Sequence, residues 1–277
     1  MPTASRKRPR TARAVHPNKG VEAAYRRALD KLIDEMSRST RYWVEVAYKA
    51  NPPRMEVAQQ ESESADGMAQ DALPSQELAR RIAELSRRWI RRFDEMADAI
   101  AERFATSGQR STDTAFQSAL KDAGFAVNFK VTPAMRDAMN ATIKENISLI
   151  KSIPRQYMLE VEGIVMRGFT AGRDLQAISE DLQKRYGVTS RRAAFIARDQ
   201  SNKLTATVTQ ARRVELGLFE AEWVHSGGGK EPRHSHVKAG QDRKRFDVRK
   251  GAYIDGEWIL PGQLINCRCS SRTILPF

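Results

Sequence analysis

Residues 195–223 read FIARDQSNKLTATVTQARRVELGLFEAEW, and the hydrophobic period changes inside them. Ile196, Leu204, Val208 and Ala211 recur at helical spacing. Gly217 stands where a helix ends, because glycine takes the left-handed conformation of a residue just past the C-terminus at no steric cost. Beyond it Phe219, Ala221 and Trp223 alternate with Glu220 and Glu222, the two-residue period of a half-buried strand. A helix that hands over directly to a strand fixes the class. The chain reads as α+β and mostly α-helical, with a helical N-terminal region, a long helix and a small C-terminal antiparallel β-rich module.

Downstream the pattern stays β-like. Gly227-Gly228-Gly229 is a loop, and Pro232-Arg233-His234-Ser235-His236 opens a turn or a short helix. Tyr253-Ile254-Asp255-Gly256-Glu257-Trp258 carries the two-residue Asp-Gly turn of a hairpin. Cys267, Cys269, Ser271, Thr273 and Leu275 fall on one side of a last strand. Trp223 and Trp258 are both expected in the small core of this module.

Upstream the spacing is helical. A stripe from Tyr25 through Leu29, Leu32, Ile33 and Met36 predicts a helix over 21–50, stopped at Asn51-Pro52-Pro53 because proline disfavours helical geometry in the residue before it. An acidic, flexible linker follows near 51–75. Ser75 is read as the N-cap of the next helix and Gly108 as its end, with a short helix from Thr112 to Gly124 after that. Thr132-Pro133 opens a further helix, kinked or restarted at Pro154. A short helix ends at Tyr186-Gly187, and Ser190 is read as the cap of the one that follows. The divisions are therefore a disordered basic arm over 1–20, a helical region over 21–130 and a third part over 131–277 with its β-rich end at 218–277.

Lys and Arg number 47 against 34 Asp and Glu, a formal net charge of +13. Such a balance selects anionic partners, nucleic acid first. Arg6, Lys7, Arg8, Arg10 and Arg13 precede the first acid, Glu22, and prolines at 2, 9 and 17 interrupt any helix. This arm is either a solvated tail or a phosphate-binding arm for double-stranded DNA, since unpaired arginines contact phosphates without a fold; a nuclear-localisation signal fits the composition too. Arg80, Arg81, Arg87, Arg88, Arg91 and Arg92 share a helix face that is either paired with acids or tracks a nucleic-acid backbone. No apolar run reaches the roughly 18 residues a membrane helix needs, and no apolar segment follows the basic N-terminus as in a secretory signal. No membrane partner is expected. Two cysteines do not make a disulfide framework.

His234, His236, Cys267 and Cys269 could chelate zinc. The one-residue spacings are tighter than usual for such sites, so the pattern favours packed thiols and hydrogen-bonded histidines, with no metal and no cofactor. A metal-dependent nuclease would need a histidine base and acidic ligands; His234, His236, Asp242 and Asp247 are the candidates, without a recognisable arrangement.

The ordered series Arg198-Asp199-Gln200, Leu216-Gly217, Trp223, Arg233 with His236, Pro261-Gly262 and Asn266-Cys267-Arg268-Cys269 resembles the phage head morphogenesis family, Mu F-like and similar to the SPP1 minor head protein. The likeness covers about residues 130–275, and the N-terminal half carries no motif of the family. Many members have a further cysteine near the position of His234, which this chain lacks. The resemblance implies a virion structural protein inside the capsid, in the host cytoplasm during assembly. It would be portal-associated and non-enzymatic, and act in head assembly and in DNA packaging or delivery. The major capsid or scaffolding protein is a further candidate partner. Some relatives carry toxin enzymes after this module; with Phe277 eight residues beyond Cys269, none is expected here. The apolar stripes of residues 75–165 are expected to supply a portal interface of at least about 1,000 Å².

Overall fold

Asn18 begins the first helix by accepting the backbone N–H groups of Gly20 and Val21 on its side-chain oxygen, at 2.8 and 3.2 Å, so two of the donors that a helix start leaves over are satisfied. The computed structural model describes residues 10–51, 73–229 and 231–276. Among the described residues five helices are seen: α1 (Lys19–Ala50), α2 (Pro74–Asp122), α3 (Pro133–Thr170), α4 (Leu175–Glu215) and α5 (His234–Gln241). The strands are short: β1 (Thr11–Ala12), β2 (Glu220–Val224), β3 (Arg245–Asp247), β4 (Ala252–Ile254), β5 (Glu257–Ile259) and β6 (Ser270–Ile274). This is the α+β, mostly helical class that the sequence predicts.

Several helix boundaries differ from expectation, each for a local reason. Pro74 is the first residue of α2 and the carbonyl of Leu73 accepts its opening bonds, at 2.8 and 3.1 Å, so Ser75 lies inside the helix and is not its cap. Proline suits that first position because its missing N–H would have no partner there. Gly108 does not end the helix. It sits mid-α2, where an added Cβ would fall 2.2 Å from Cδ2 of Leu204 on α4, so it is a close-packing site and α2 continues to Asp122. α4 likewise runs through Gly187. The hydroxyl of Thr189 bonds back to the carbonyl of Arg185 at 3.0 Å, and Ser190 caps nothing. Pro154 lies within α3; burial of Ile150, Ile153 and Tyr157 around it outweighs the one backbone bond that proline removes. The expected caps at Thr132 and Gly217 are present. Thr132 Oγ1 accepts the N–H of Met135 at 3.2 Å. Gly217 is left-handed at φ +69°, with Leu218 N–H bonded to the Arg213 carbonyl at 2.9 Å.

The chain divides into two compact units, and neither is continuous in sequence. One takes in the described residues up to Tyr25, Ala99–Asn146, and the chain from Phe195 onward. The other takes in the described residues of Arg26–Asp98 together with Ile147–Ala194. These units cut across the expected boundaries after residues 20 and 130. The acidic linker falls on residues 52–72, outside the described residues.

In the second unit the helical stripes are buried on one another: Leu29, Ile33 and Met36 of α1, Leu78 and Phe93 of α2, Tyr157 and Val161 of α3, and Ile178 of α4. Polar bonds fix their register, with Tyr186 donating to Asp34 at 2.6 Å and Tyr48 to the Arg173 carbonyl at 2.6 Å. Of the 75–165 stripes, Leu78, Phe93, Tyr157 and Val161 are buried in this unit.

The first unit contains the sheet. Its strand order is β1-β6-β2-β3, all antiparallel, with Ala221 opposite Thr273 and Trp223 opposite Ser271. Glu222, expected on an open face, is buried, and lies opposite Arg272 across the strands. The strand β1 corrects the picture of a wholly disordered 1–20 arm. Thr11 and Ala12 pair with β6, and Ala12 and Val15 pack with Phe116, Leu120 and Leu275. β4 and β5 form the expected hairpin, with Asp255 and Gly256 both at positive φ, 53° and 84°. Trp258, expected in the core, is 61% exposed and packs on its cross-strand neighbour Tyr253.

Candidate functional site

Asp199 and Gln200 on α4 are both buried, which is costly for polar side chains unless each finds partners. They do. One carboxylate oxygen of Asp199 accepts the backbone N–H of Asn266 at 2.6 Å, and the other faces Lys203 Nζ at 3.3 Å. Asn266 is itself left-handed, φ +59°, a conformation asparagine tolerates better than most residues. Arg198 reaches its side-chain oxygen at 3.4 Å. Gln200 donates to Glu145 and accepts from Asn146, both at 3.0 Å. Asn146 in turn accepts the Tyr25 hydroxyl proton at 2.9 Å. A continuous polar network thereby leads from α1 through α3 and α4 to the loop that carries both cysteines. Burial raises the Tyr25 phenol's pKa, with the Glu145 charge adding to the effect.

The same loop lies tightly on α4. Gly262 has φ +85°, and a Cβ there would meet Ala206 Cβ at 3.1 Å and the Cys269 carbonyl at 3.3 Å. Pro261 beside it is buried. Cys267 and Cys269 follow in the segment before β6, and their sulfurs approach one ring nitrogen. His236 Nδ1 is 3.5 Å from Cys267 Sγ and 3.7 Å from Cys269 Sγ. Gly262 N–H donates to Cys267 Sγ at 3.4 Å. Hydrogen bonding from Cys269 lowers the pKa of the Cys267 thiol, and the same bond together with burial raises that of Cys269. The His236 residue is 3% exposed, its ring makes a T-shaped contact with Trp223 at a centroid distance of 5.1 Å, and Nε2 has no hydrogen-bond partner among the described residues.

Among the described residues, His236, Cys267 and Cys269 form the one group of three or more histidine, cysteine or carboxylate side chains close enough to share a metal ion, their donor atoms all within 4.8 Å of one another. His234 is not in it; it is exposed at the start of α5. Asp242 and Asp247 do not join either. Asp247 is engaged by Arg249 at 2.5 Å, so the expected acidic ligands of a nuclease are not assembled. Beside the cluster opens a cleft of about 660 Å³, rimmed by Arg198, Arg233 and Arg268 and by His225. Arg233 is steadied by its bond to the Ile265 carbonyl, 3.2 Å.

Two residues that hold this region were missed by the sequence reading. Arg212 is 1% exposed; it forks onto both oxygens of Asp113 at 2.8 Å and reaches Glu215 at 2.8 Å. Arg213, equally hidden, donates to Thr273 Oγ1, Ser271 Oγ and the Ser271 carbonyl at 2.8, 2.7 and 2.9 Å. It ties β6 to α4, and burial pushes its guanidinium down to about 9. Adjacent arginines at the end of an amphipathic stripe look like solvent-facing charge, and nothing local marks them as buried.

Of the basic arm, Arg6, Lys7 and Arg8 lie outside the described residues. Arg10 lends its carbonyl to Leu275 N–H at 2.8 Å, and Arg13 donates to Ser118 at 2.8 Å with Asp122 at 3.4 Å. On α2, Arg80 and Arg81 pair with Glu77 and Glu84, and Arg92 lies 3.8 Å from Glu95. Arg87, Arg88 and Arg91 are exposed, and no ion pair engages them among the described residues.

An arginine–aspartate–glutamine run on a long helix thus buttresses an Asn-Cys-Arg-Cys loop that lies over a histidine. Residues 160–272 match the family described as Phage Mu protein F like protein. An uncharacterized protein of Haemophilus influenzae (strain Rd) is 34% identical over 185 residues, covering 65% of this chain and 39% of that relative. The chain thus spans well under half the relative's length. No solved structure matches the chain. No helix among the described residues is long and apolar enough to cross a membrane.

Proposed function

We propose that this protein is a minor head protein of a phage virion, associated with the portal inside the capsid and acting in head assembly and in the packaging or delivery of DNA. The observation that carries the reading is the family match over 160–272, which includes the helix and the loop whose motif residues form one hydrogen-bonded site. The role is non-enzymatic: Asp199 and Asn266 are spent on the bond that holds the loop, and Gln200 on bonds to Glu145 and Asn146 of α3. Major capsid or scaffolding protein are secondary partners. The test is co-expression of the full-length chain with the cognate portal protein and sedimentation of the pair. Co-migration is expected in low and moderate salt, whereas a chain that stays at the top of the gradient in both removes the main partner. The full chain is required, because a cut near residue 170 would divide both compact units.

Non-specific binding to double-stranded DNA belongs to the same proposal, supported by the net charge of +13, the unengaged Arg87, Arg88 and Arg91, and the arginine rim of the cleft. Deleting residues 1–20 would remove β1, so the arm is better tested by charge alone. Replacing Arg6, Lys7 and Arg8 with alanine should flatten the log–log salt dependence by up to about 2.7, at about 0.9 for each phosphate that is no longer neutralised. An unchanged slope would take the arm out of the DNA interface.

A further inference from the structure

We propose that His236, Cys267 and Cys269 hold a zinc ion, with the fourth coordination position turned to the arginine-rimmed cleft. The donor set is two thiols and one imidazole, which suits zinc and other borderline or soft metals and does not suit magnesium or calcium, which take oxygen ligands.

The geometry fits as well. With zinc–sulfur bonds of about 2.3 Å and zinc–nitrogen bonds of about 2.0–2.1 Å, a tetrahedral site separates sulfur from nitrogen by about 3.5–3.6 Å. The two separations here are 3.5 and 3.7 Å. A simple thiol–imidazole hydrogen bond has a similar length, so distance alone does not decide. What decides is convergence. One ring nitrogen faces two sulfurs at once, and a single proton or lone pair on Nδ1 cannot fully satisfy both. A cation at the centre of the three satisfies all of them.

The surroundings point the same way. A buried imidazole is ordinarily anchored by a carboxylate, a carbonyl or water. Among the described residues no carboxylate or carbonyl anchors His236: its polar contacts are the two sulfurs, and its Nε2 has no partner. Cys267 and Cys269 stand two apart in the segment before β6, and both sulfurs are turned to the one ring nitrogen. Asp199 and Gly262 fix that segment on α4, while the T-shaped contact with Trp223 sets the ring on α5, so the donors are preorganised. A zinc ion would also staple α5 to the chain before β6, in a module whose strands β3, β4 and β5 are only three residues each and which has little core of its own to spend.

No fourth histidine, cysteine or carboxylate joins the group among the described residues. All three donor residues line the cleft, so the remaining position takes a solvent oxygen. This inference stands whether or not the portal reading does.

The experiment is metal analysis of full-length protein purified without chelators or metal-affinity resin, beside H236F, C267S, C269S and H236C. The wild type should contain about one zinc per chain. H236F, C267S and C269S should lose it, and H236C, which restores a donor, should retain it. Because a core substitution can simply unfold the module, the wild-type chain is also stripped and titrated with cobalt(II). The thiolate-to-cobalt charge-transfer band and the intense ligand-field absorption of a four-coordinate site are expected. Zinc well below stoichiometry together with no such spectrum overturns the proposal. So does zinc that survives in H236F, C267S and C269S alike, since the metal then sits elsewhere.

Discussion

Replacing Arg212 with methionine should lower the stability of the unit that holds the sheet by about 3–5 kcal/mol, the range found when one partner of a buried ion pair is removed. The guanidinium bridges α2, α4 and the link between α2 and α3: it forks onto Asp113 at 2.8 Å, donates to the Lys130 carbonyl at 2.6 Å, and stacks over Phe129 at 4.6 Å. Hydrogen bonding to Asp113 holds its pKa above the ordinary value, so it is charged at every working pH. Methionine fills much of the volume but strands the Asp113 carboxylate beside an apolar chain. Lysine would keep the charge without the planar fork, and R212K should fall between wild type and R212M. The measurement is the urea midpoint of each variant, combined with D113N in a double-mutant cycle. A loss under about 1 kcal/mol would put the pair with the exposed ion pairs that contribute little.

The second large effect is expected at Asp199. Its carboxylate takes a backbone N–H at 2.6 Å from a left-handed residue, a charge-assisted bond of the kind worth about 1.5–3 kcal/mol. D199A should cost about that much and free the Asn266–Cys269 segment from α4. D199N retains an oxygen acceptor and should cost less than half as much. Amide hydrogen exchange at residues 262–269 gives the local readout. Fast exchange in D199A with protection kept in D199N is expected, whereas equal protection in both would mean that Gly262 packing alone holds the loop. If the cluster carries zinc, loosening its support should also weaken metal affinity by about 10–100-fold.

The long-range order of this fold was only partly legible. The change of period at Gly217, the Asp-Gly hairpin and the Thr132 cap are local signals, and local signals survive folding. Gly108 and Gly187 were misread because a glycine in a helical pattern can mark either an end or a close approach, and at Gly108 only the position of Leu204 distinguishes them. The Asp199, Gln200 and Asn266 motif could be picked out from its residues, but its role could not. Its partners Tyr25, Glu145 and Asn146 lie far away in sequence and have no distinguishing neighbours. Of the four proposed metal donors, three converge. His234 does not, because it and His236 stand two apart on a helix, where such residues do not share a face, and not on a strand, where they would.

The pairing of β1 with β6 has a consequence for the order in which the chain can fold. Thr11 and Ala12 meet Thr273 and Ile274, so residues near the start must wait for residues near the end before their backbone groups are matched. The second unit, by contrast, is complete by Ala194. Loop-closure entropy has to be met before such distant contacts reward it, and topologies of this kind form slowly. During synthesis the helical unit can therefore assemble first, while Ala12 and Val15 remain uncovered until the last strand arrives. The sheet is then the late step, and conditions that slow its closure would expose the apolar surface around Phe116 and Leu120 during the wait.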